Sequence, residues 1–351
     1  MSRVLALVHD DALRICVDPS VSPHVDAWLP FSATPSRCVT PASTVSVQSV
    51  QALPTKARLT DDTPERTPVV SPPSGATPTL RLGGVDAYLD DTTQSVLLRS
   101  DSGHVAGYVN LSAGDAWIDI VESTVPRRDG DVSSALTLCT ALLMNRLERT
   151  LVHAAAVAPP GGAAWLLVGD THAGKTTTTA TLMAAGWEYL SDDHVVLSAT
   201  ERGPMVEGWP RTFHLDAGWR TGAPMRSRID VDPRQLALSR WRTTAVLGGI
   251  LFPSVVANAP THLEPMSAAQ ALTGLVRQSP WLMADARAAP SALALLTAAA
   301  QLPVRRLCLG FDTFNQPAAL AHCLAPLCLT PPPGDTMDVP GVLRGESSNQ
   351  G

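Results

Sequence analysis

Two short apolar runs stand close together in the middle of the chain. They are Leu151-Val152-His153-Ala154-Ala155-Ala156-Val157 and Ala164-Trp165-Leu166-Leu167-Val168, parted by a Pro/Gly turn over 159–163. Apolar runs of this length bounded by turn residues are the pattern of strands buried on both faces, so strands are predicted at 152–157 and 164–168. From 176 to 185 the chain reads as a helix, and Gly186 follows where a helix end favours a residue able to turn left-handed. Strands are predicted again at 187–190 and 194–197. Further on, 266–277 and 284–301 read as Ala/Leu-rich helices, the second starting near Pro290, then a late strand over 303–309 and a closing helix over 316–324. With a helix at 133–149 leading in, this alternation predicts an α/β domain over residues 131–330.

Upstream the apolar period changes to two. Short alternating segments at 79–82, 95–98, 105–109 and 116–120, divided by turn clusters such as Asp90-Asp91 and Asp101-Ser102-Gly103, predict a small, mostly antiparallel sheet. Two more short strands are predicted within 4–17, around an acidic turn at Asp10-Asp11. Residues 18–78 carry eleven prolines with many Ser and Thr and little apolar periodicity, which predicts a loosely structured linker or surface excursion. Residues 1–130 therefore read as an N-terminal, mostly β region and 331–351, rich in Pro, Gly and Ser, as a disordered tail.

Composition narrows the function classes. With 351 residues, 45% apolar residues and a net charge of −6, the chain can bury a sizeable core and has no global basic field, so nucleic acid is not an expected partner. Neither a signal peptide nor a membrane span is expected, since no apolar run reaches membrane-spanning length, and no membrane association is expected. The six cysteines form no C-x-x-C pair, which fits a reduced, cytoplasmic setting. Only Lys56 and Lys175 are lysines among 26 cationic residues, so where a lysine stands matters.

Lys175 stands in the strongest motif. Gly169-Asp170-Thr171-His172-Ala173-Gly174-Lys175-Thr176 matches G-x-x-x-x-G-K-[ST] at every required position. A buried strand precedes it and a helix follows, the context in which successive backbone N–H groups curl around phosphate at a helix N-terminus. Residues 169–177, including Thr177 in the first helical turn, are the predicted nucleotide-binding segment, with Lys175 reaching the β/γ-phosphates and Thr176 taking a Mg²⁺ position. His172 reads as a solvent-facing loop residue.

Transfer of a phosphoryl group to an alcohol also needs a carboxylate to accept the hydroxyl proton. Asp192-Asp193, just past the predicted strand 187–190, is the candidate supplier. Adjacent side chains of a regular strand point opposite ways, so one catalytic and one supporting acid are expected unless the backbone bends. His153 is a lone polar residue in an apolar strand; on spacing alone it is a hydrogen-bonded core residue or a neighbour of the phosphates. Trp187 and Trp209 flank the predicted site and are read as core or as lining of an acceptor groove.

Together, His153, Gly169 to Thr176 and Asp192-Asp193 resemble the catalytic domain of the bacterial HPr kinase/phosphorylase family. Over about 151–196 the chain is more similar still to the shorter HPr-kinase-related proteins encoded with peptide natural products, including lasso-peptide kinases that phosphorylate a precursor-peptide serine. The strings that carry this are the Leu151-His153-Ala154-Val157 strand, the loop, and Gly186-Trp187 through Leu190 to Asp192-Asp193. The resemblance implies a P-loop sheet domain of the HPr kinase C-terminal type, with Asp193 as base, His153 assisting near the phosphates and Lys175 stabilising the transferred group. Asp192 and Thr176 would hold Mg²⁺, with Glu207 a weaker metal candidate because the Gly-rich signature that accompanies the family's glutamate is missing. The family's later arginine has no counterpart, and Arg211, Arg305 or Arg306 are read as substitutes. Kinase without phosphorylase activity is expected.

The sequence thus predicts an ATP- and Mg²⁺-dependent kinase acting on a hydroxyl, a serine of a peptide or protein acceptor such as a natural-product precursor peptide. A nucleotide-binding regulator with little catalysis and a kinase of a small-molecule hydroxyl are the alternatives. Association into a homo-oligomer stays open.

Overall fold

The computed structural model describes residues 3–6, 13–21, 25, 34–35, 43–50, 75–121, 129–209, 213–216, 228–232, 241–256, 259–315 and 317–328. The acidic turn at 10–11, most of the Pro-rich linker, Arg211 and the 331–351 tail lie outside them.

The first nine strands are β1 (Arg3–Ala6), β2 (Leu13–Val17), β3 (Thr34–Pro35), β4 (Ser43–Val50), β5 (Leu80–Leu82), β6 (Val85–Asp90), β7 (Ser95–Ser100), β8 (Val105–Asn110) and β9 (Asp115–Val121). They form one sheet in the order β3-β1-β2-β4-β9-β8-β7-β6-β5. From β5 to β9 it is an antiparallel meander of the kind the period-two pattern predicts. β4 corrects the reading of 18–78 as an irregular linker. It lies inside that stretch and pairs in parallel with both β2 and β9, in the middle of the sheet. Its sequence, Ser-Thr-Val-Ser-Val-Gln-Ser-Val, alternates with period two, but only Val45 and Val47 of its described side chains are buried apolar ones. So polar a strand among prolines is hard to see without its neighbours.

Helix α1 (Asp129–Arg146) follows. Leu136, Leu138, Leu142 and Leu143 of this helix share one hydrophobic core with Val45, Val96, Leu98 and Ile118 of the first sheet and with Leu151 and Val196 of the next. A helix apolar around most of its circumference belongs in such an interior position, packed on more than one side. At its end the Arg146 guanidinium forks onto Asp285, Nε to Oδ2 at 2.5 Å and Nη2 to Oδ1 at 3.0 Å, and also donates to Gln94 Oε1 at 2.8 Å.

The remaining elements are β10 (Arg149–Val152), β11 (Ala154–Ala158), β12 (Ala164–Val168), α2 (Lys175–Ala184), β13 (Glu188–Ser191), β14 (Val195–Thr200), β15 (Gly203–Gly208), β16 (Phe213–Asp216), β17 (Arg228–Val231), β18 (Thr244–Val255), β19 (His262–Pro265), α3 (Ala268–Arg277), α4 (Ala289–Ala300), β20 (Val304–Leu309), α5 (Asp312–Asn315) and α6 (Pro317–Cys328). The second large sheet runs β10-β14-β15-β18-β12-β11-β13, with β20 on β18 and β19 on β20. The long β18 is shared along its length, its start pairing with β15, its middle with β12 and its end with β20.

Alternation along β11 and β12 explains their uniform apolarity. Ala154, Ala156, Leu166 and Val168 face a core that includes Leu275 of α3 and Leu296 of α4, while Ala155, Val157, Trp165 and Leu167 face one that includes Leu182 of α2 and Leu320 of α6. Both faces are covered by helices, so neither has a polar side. α2 ends as its glycine foretells. Gly186, at φ 94, donates its N–H to Met183 O and Trp187 N donates to Leu182 O, both at 3.0 Å, with Trp187 and Leu182 packed in one core. Among the described residues no helix is long and apolar enough to cross a membrane.

Candidate active site

Strand direction gathers the candidate residues before any side chain is considered. β12, β18 and β20 run parallel, and β11 runs antiparallel to both of its neighbours, β12 and β13. The start of β11 therefore meets the ends of β12 and β13 at one edge, with Ala154 opposite Val168 and Ala156 opposite Ser191. His153 precedes β11, Gly169 follows β12 and Asp192-Asp193 follows β13. Segments far apart in sequence thus lie on adjacent strands about 5 Å apart.

The loop from Gly169 to Gly174 closes into the N-terminus of α2. Ala173 N donates to Asp170 O at 3.1 Å, and His172 (φ 68) and Gly174 (φ 101) both take left-handed backbone angles. A side chain at Gly174 would be strained by that angle and would press on Leu309. Thr171 and His172 are exposed, while Thr176 and Thr177 in the first turn of α2 are half-buried. No side chain caps this helix, which leaves its N-terminus without a side-chain acceptor, as an anion cradle requires.

Lys175 is buried, at 7% exposure, and its Nζ donates to Gly169 O at 2.6 Å and to Asp170 O at 3.2 Å. Burial holds its ammonium below the ordinary lysine value, against the opposing pull of Asp193, Asp170 and Asp192. Three carboxylates thus act electrostatically on one desolvated amine.

Asp193 lies between two histidines. His153 Nε2 is 3.1 Å from its Oδ1 and His194 Nδ1 is 2.8 Å from its Oδ2. The chain bends at 192–193, and Ser191 Oγ, 2.5 Å from His194 O and 2.8 Å from Trp209 O, anchors the bend. Asp192 is buried at 6% exposure, whereas the Asp193 side chain is 36% exposed. The two adjacent acids therefore occupy different environments, one buried and one partly open to solvent.

The segment after α3 braces this edge. Gln278 O accepts from His153 N at 2.9 Å, Gln278 Nε2 donates to Asp170 Oδ1 at 2.8 Å, and Trp281 Nε1 donates to Leu151 O at 2.8 Å. Arg277 Nη2 reaches Asp170 Oδ2 at 3.2 Å.

Other candidates have partners of their own. Glu207 Oε2 is 3.9 Å from Arg149 Nη1, while the strand register sets Glu207 opposite Val196 and Val196 opposite Leu151, two residues before His153. Arg305 donates to Val304 O, and Arg306 pairs with Glu264. Both sit early in β20, away from the strand end that faces the loop. Trp187 and Trp209 are buried at 5% and 1% exposure, so they are core and line no acceptor groove.

Arg277, Gln278 and His194 are the site residues that sequence reasoning missed. His194 had a signal, since it directly follows the acid pair; Arg277 and Gln278 had none, standing more than a hundred residues from the loop they touch.

No family model matches the chain, and no curated protein matches it. Among solved structures, the Hpr(Ser) kinase/phosphatase from Coxiella burnetii is similar over 50% of this chain and 95% of that chain, at 13% identity and a TM-score of 0.29. A likeness this slight carries no argument on fold or chemistry, so what the site does has to follow from its own geometry.

Proposed function

We propose that the chain is a kinase that moves the γ-phosphoryl group of ATP to a hydroxyl, a serine of a peptide or protein acceptor. The observation that carries this reading is the Asp193 carboxylate, held by His153 and His194 at the strand edge where the loop presents Lys175. Phosphoryl transfer asks a protein for positioning, for positive charge on the transferred group and for a base on the attacking hydroxyl. Lys175 is the charge, able to exchange its two loop carbonyls for phosphate oxygens. Asp193 is the base; each of its oxygens spends one contact on a histidine and keeps further lone-pair capacity for the hydroxyl proton. The imidazoles fix the carboxylate's orientation.

The residues fit a nucleotide and a divalent cation. The uncapped α2 N-terminus and the left-handed angle at Gly174 suit a phosphate. The Thr176 hydroxyl and the Asp192 carboxylate are hard oxygen donors of the kind Mg²⁺ takes. When bound, Mg²⁺ neutralises charge on the β- and γ-phosphates as transfer proceeds.

Intact-mass measurement of candidate acceptors after incubation with ATP and Mg²⁺ tests the reading, with Lys175→Ala and Asp193→Asn beside the wild type. A gain of one phosphoryl mass, absent with both variants, supports it. Transfer undiminished in Asp193→Asn overturns the assignment of the base. ATP binding with no transfer to any peptide turns the choice to a regulator or a small-molecule kinase.

A further inference from the structure

On the far side of β18 from the loop strand, β19 and β20 bring three metal-ligating side chains together. His262 and Glu264 are two apart in β19, so both project from one face of it. Cys308 of β20 is directly opposite His262 in the antiparallel register, and directly opposed residues share a face. The result is an imidazole, a carboxylate and a thiol whose ligand atoms all lie within 4.8 Å of one another.

We propose that His262, Glu264 and Cys308 form a zinc site. Zinc takes nitrogen, oxygen and sulfur at about 2.0–2.3 Å in a tetrahedron, which sets neighbouring ligand atoms about 3.3–3.8 Å apart. His262 Nε2 and Glu264 Oε1 are 3.4 Å apart. The outer contacts are those of a metal site as well. His262 Nδ1 is 2.9 Å from Pro260 O; a proton there donates to that carbonyl and leaves Nε2 as the ligand nitrogen, the usual way a second partner orients a metal-bound imidazole. Arg306 Nη1 is 3.6 Å from Glu264 Oε2, holding that oxygen and leaving Oε1 towards the histidine. Cys308 carries a free thiol and is buried, while the His262 and Glu264 side chains are 44% and 45% exposed, so an ion enters from solvent and finds its sulfur ligand at the bottom. Three protein ligands leave a fourth position for water or an exchangeable ligand. This combination of soft sulfur, imidazole and one carboxylate favours zinc over Mg²⁺, which demands oxygen.

The site is separate from the proposed kinase centre, but it is not remote from its scaffold. Leu309, next to Cys308, packs against Gly174, and Thr261, next to His262, is tied to Asp312 through Oγ1 to Oδ1 at 2.7 Å. Zinc here braces the β19–β20 pair behind the loop.

Equilibrium dialysis of the full chain against Zn²⁺, and separately Co²⁺, in excess Mg²⁺ tests the proposal. One zinc retained per chain, and a thiolate-to-cobalt charge-transfer band in the near ultraviolet that Cys308→Ser removes, are the expected results. His262→Ala and Glu264→Gln alter half-exposed side chains and keep the fold; each should weaken retention at least about tenfold. Zinc that is not retained, or is retained equally by these variants, overturns the proposal. So does zinc released by Asp193→Asn but kept by His262→Ala, which locates the ion at the P-loop edge. Since the readout is bound metal, failure here leaves the kinase reading untouched.

Discussion

Asp193 and His194 are consecutive residues whose side chains turn back on each other, with Nδ1 2.8 Å from Oδ2. Neighbours in an extended strand point to opposite faces, so the contact exists only because the chain bends after β13. In the proposed kinase His194 would act through Asp193 as a positioning residue. Replacing it with Ala should lower kcat about 100-fold, the cost typical of a misplaced reacting group, with little change in nucleotide binding. Steady-state kinetics beside a nucleotide titration check the split; equal loss in both would show that His194 only supports the fold.

Arg277 and Asp170 are each 67% exposed in their side chains. An ion pair so open to water is worth about 0–1 kcal/mol, so Arg277→Ala should barely shift the melting temperature. In the proposed kinase its place beside the loop would let it stabilise charge on the transferred group, in place of the arginines read from sequence. kcat should therefore fall at least tenfold while stability holds, and unchanged kcat would remove Arg277 from the reaction.

Lys175 makes stability depend on pH in the empty protein. Its folded value lies below 10.5 because of burial, so between the two values the unfolded chain holds more protons than the native one and stability rises with pH. Lys175→Met should flatten that rise in chemical denaturation measured across alkaline pH. The same variant should abolish the stabilisation by ATP, about 2.7 kcal/mol at a hundredfold excess over Kd in the wild type.

Arg146 and Asp285 form the opposite kind of pair. The Asp285 side chain is 2% exposed, and Arg146→Met would leave its carboxylate buried without its cation, a loss of about 3–5 kcal/mol. A second change, Asp285→Asn, which removes the charge and keeps an oxygen to accept from Arg287 N and Ala288 N, should restore much of it. Urea titrations of the three variants give the coupling directly, and additive effects would mean that the pair matters less than its burial implies.

How much of this is legible in the chain follows from sequence separation. The strand-loop-helix around Lys175 is written in consecutive residues, and the end of α2 at Gly186 is fixed by local backbone preference. The convergence of His153, Gly169 and Asp193 needs strand order and direction as well, which apolar runs do not encode. Asp170 meets Gln278 across 108 residues and Arg146 meets Asp285 across 139, and no local pattern announces either. β4 was hidden by its serines, since a strand between two partners takes its pairing from the backbone and needs few apolar side chains once its neighbours exist. Glu207 shows another limit: its register, opposite Val196 and so in the row of Leu151, follows from strand pairing that no sequence interval encodes.

The enclosed position of α1 has a thermodynamic consequence. The helix packs on β8 and β9 of the first sheet and on β10 of the second, so neither sheet can release it without exposing the apolar surface of both. Loss of one sheet would then remove the other's support, and the chain should melt in a single cooperative transition. A fragment beginning at β10 would lack the helix that covers Leu151 and Val196, and truncation there should yield an aggregation-prone protein rather than a smaller folded one.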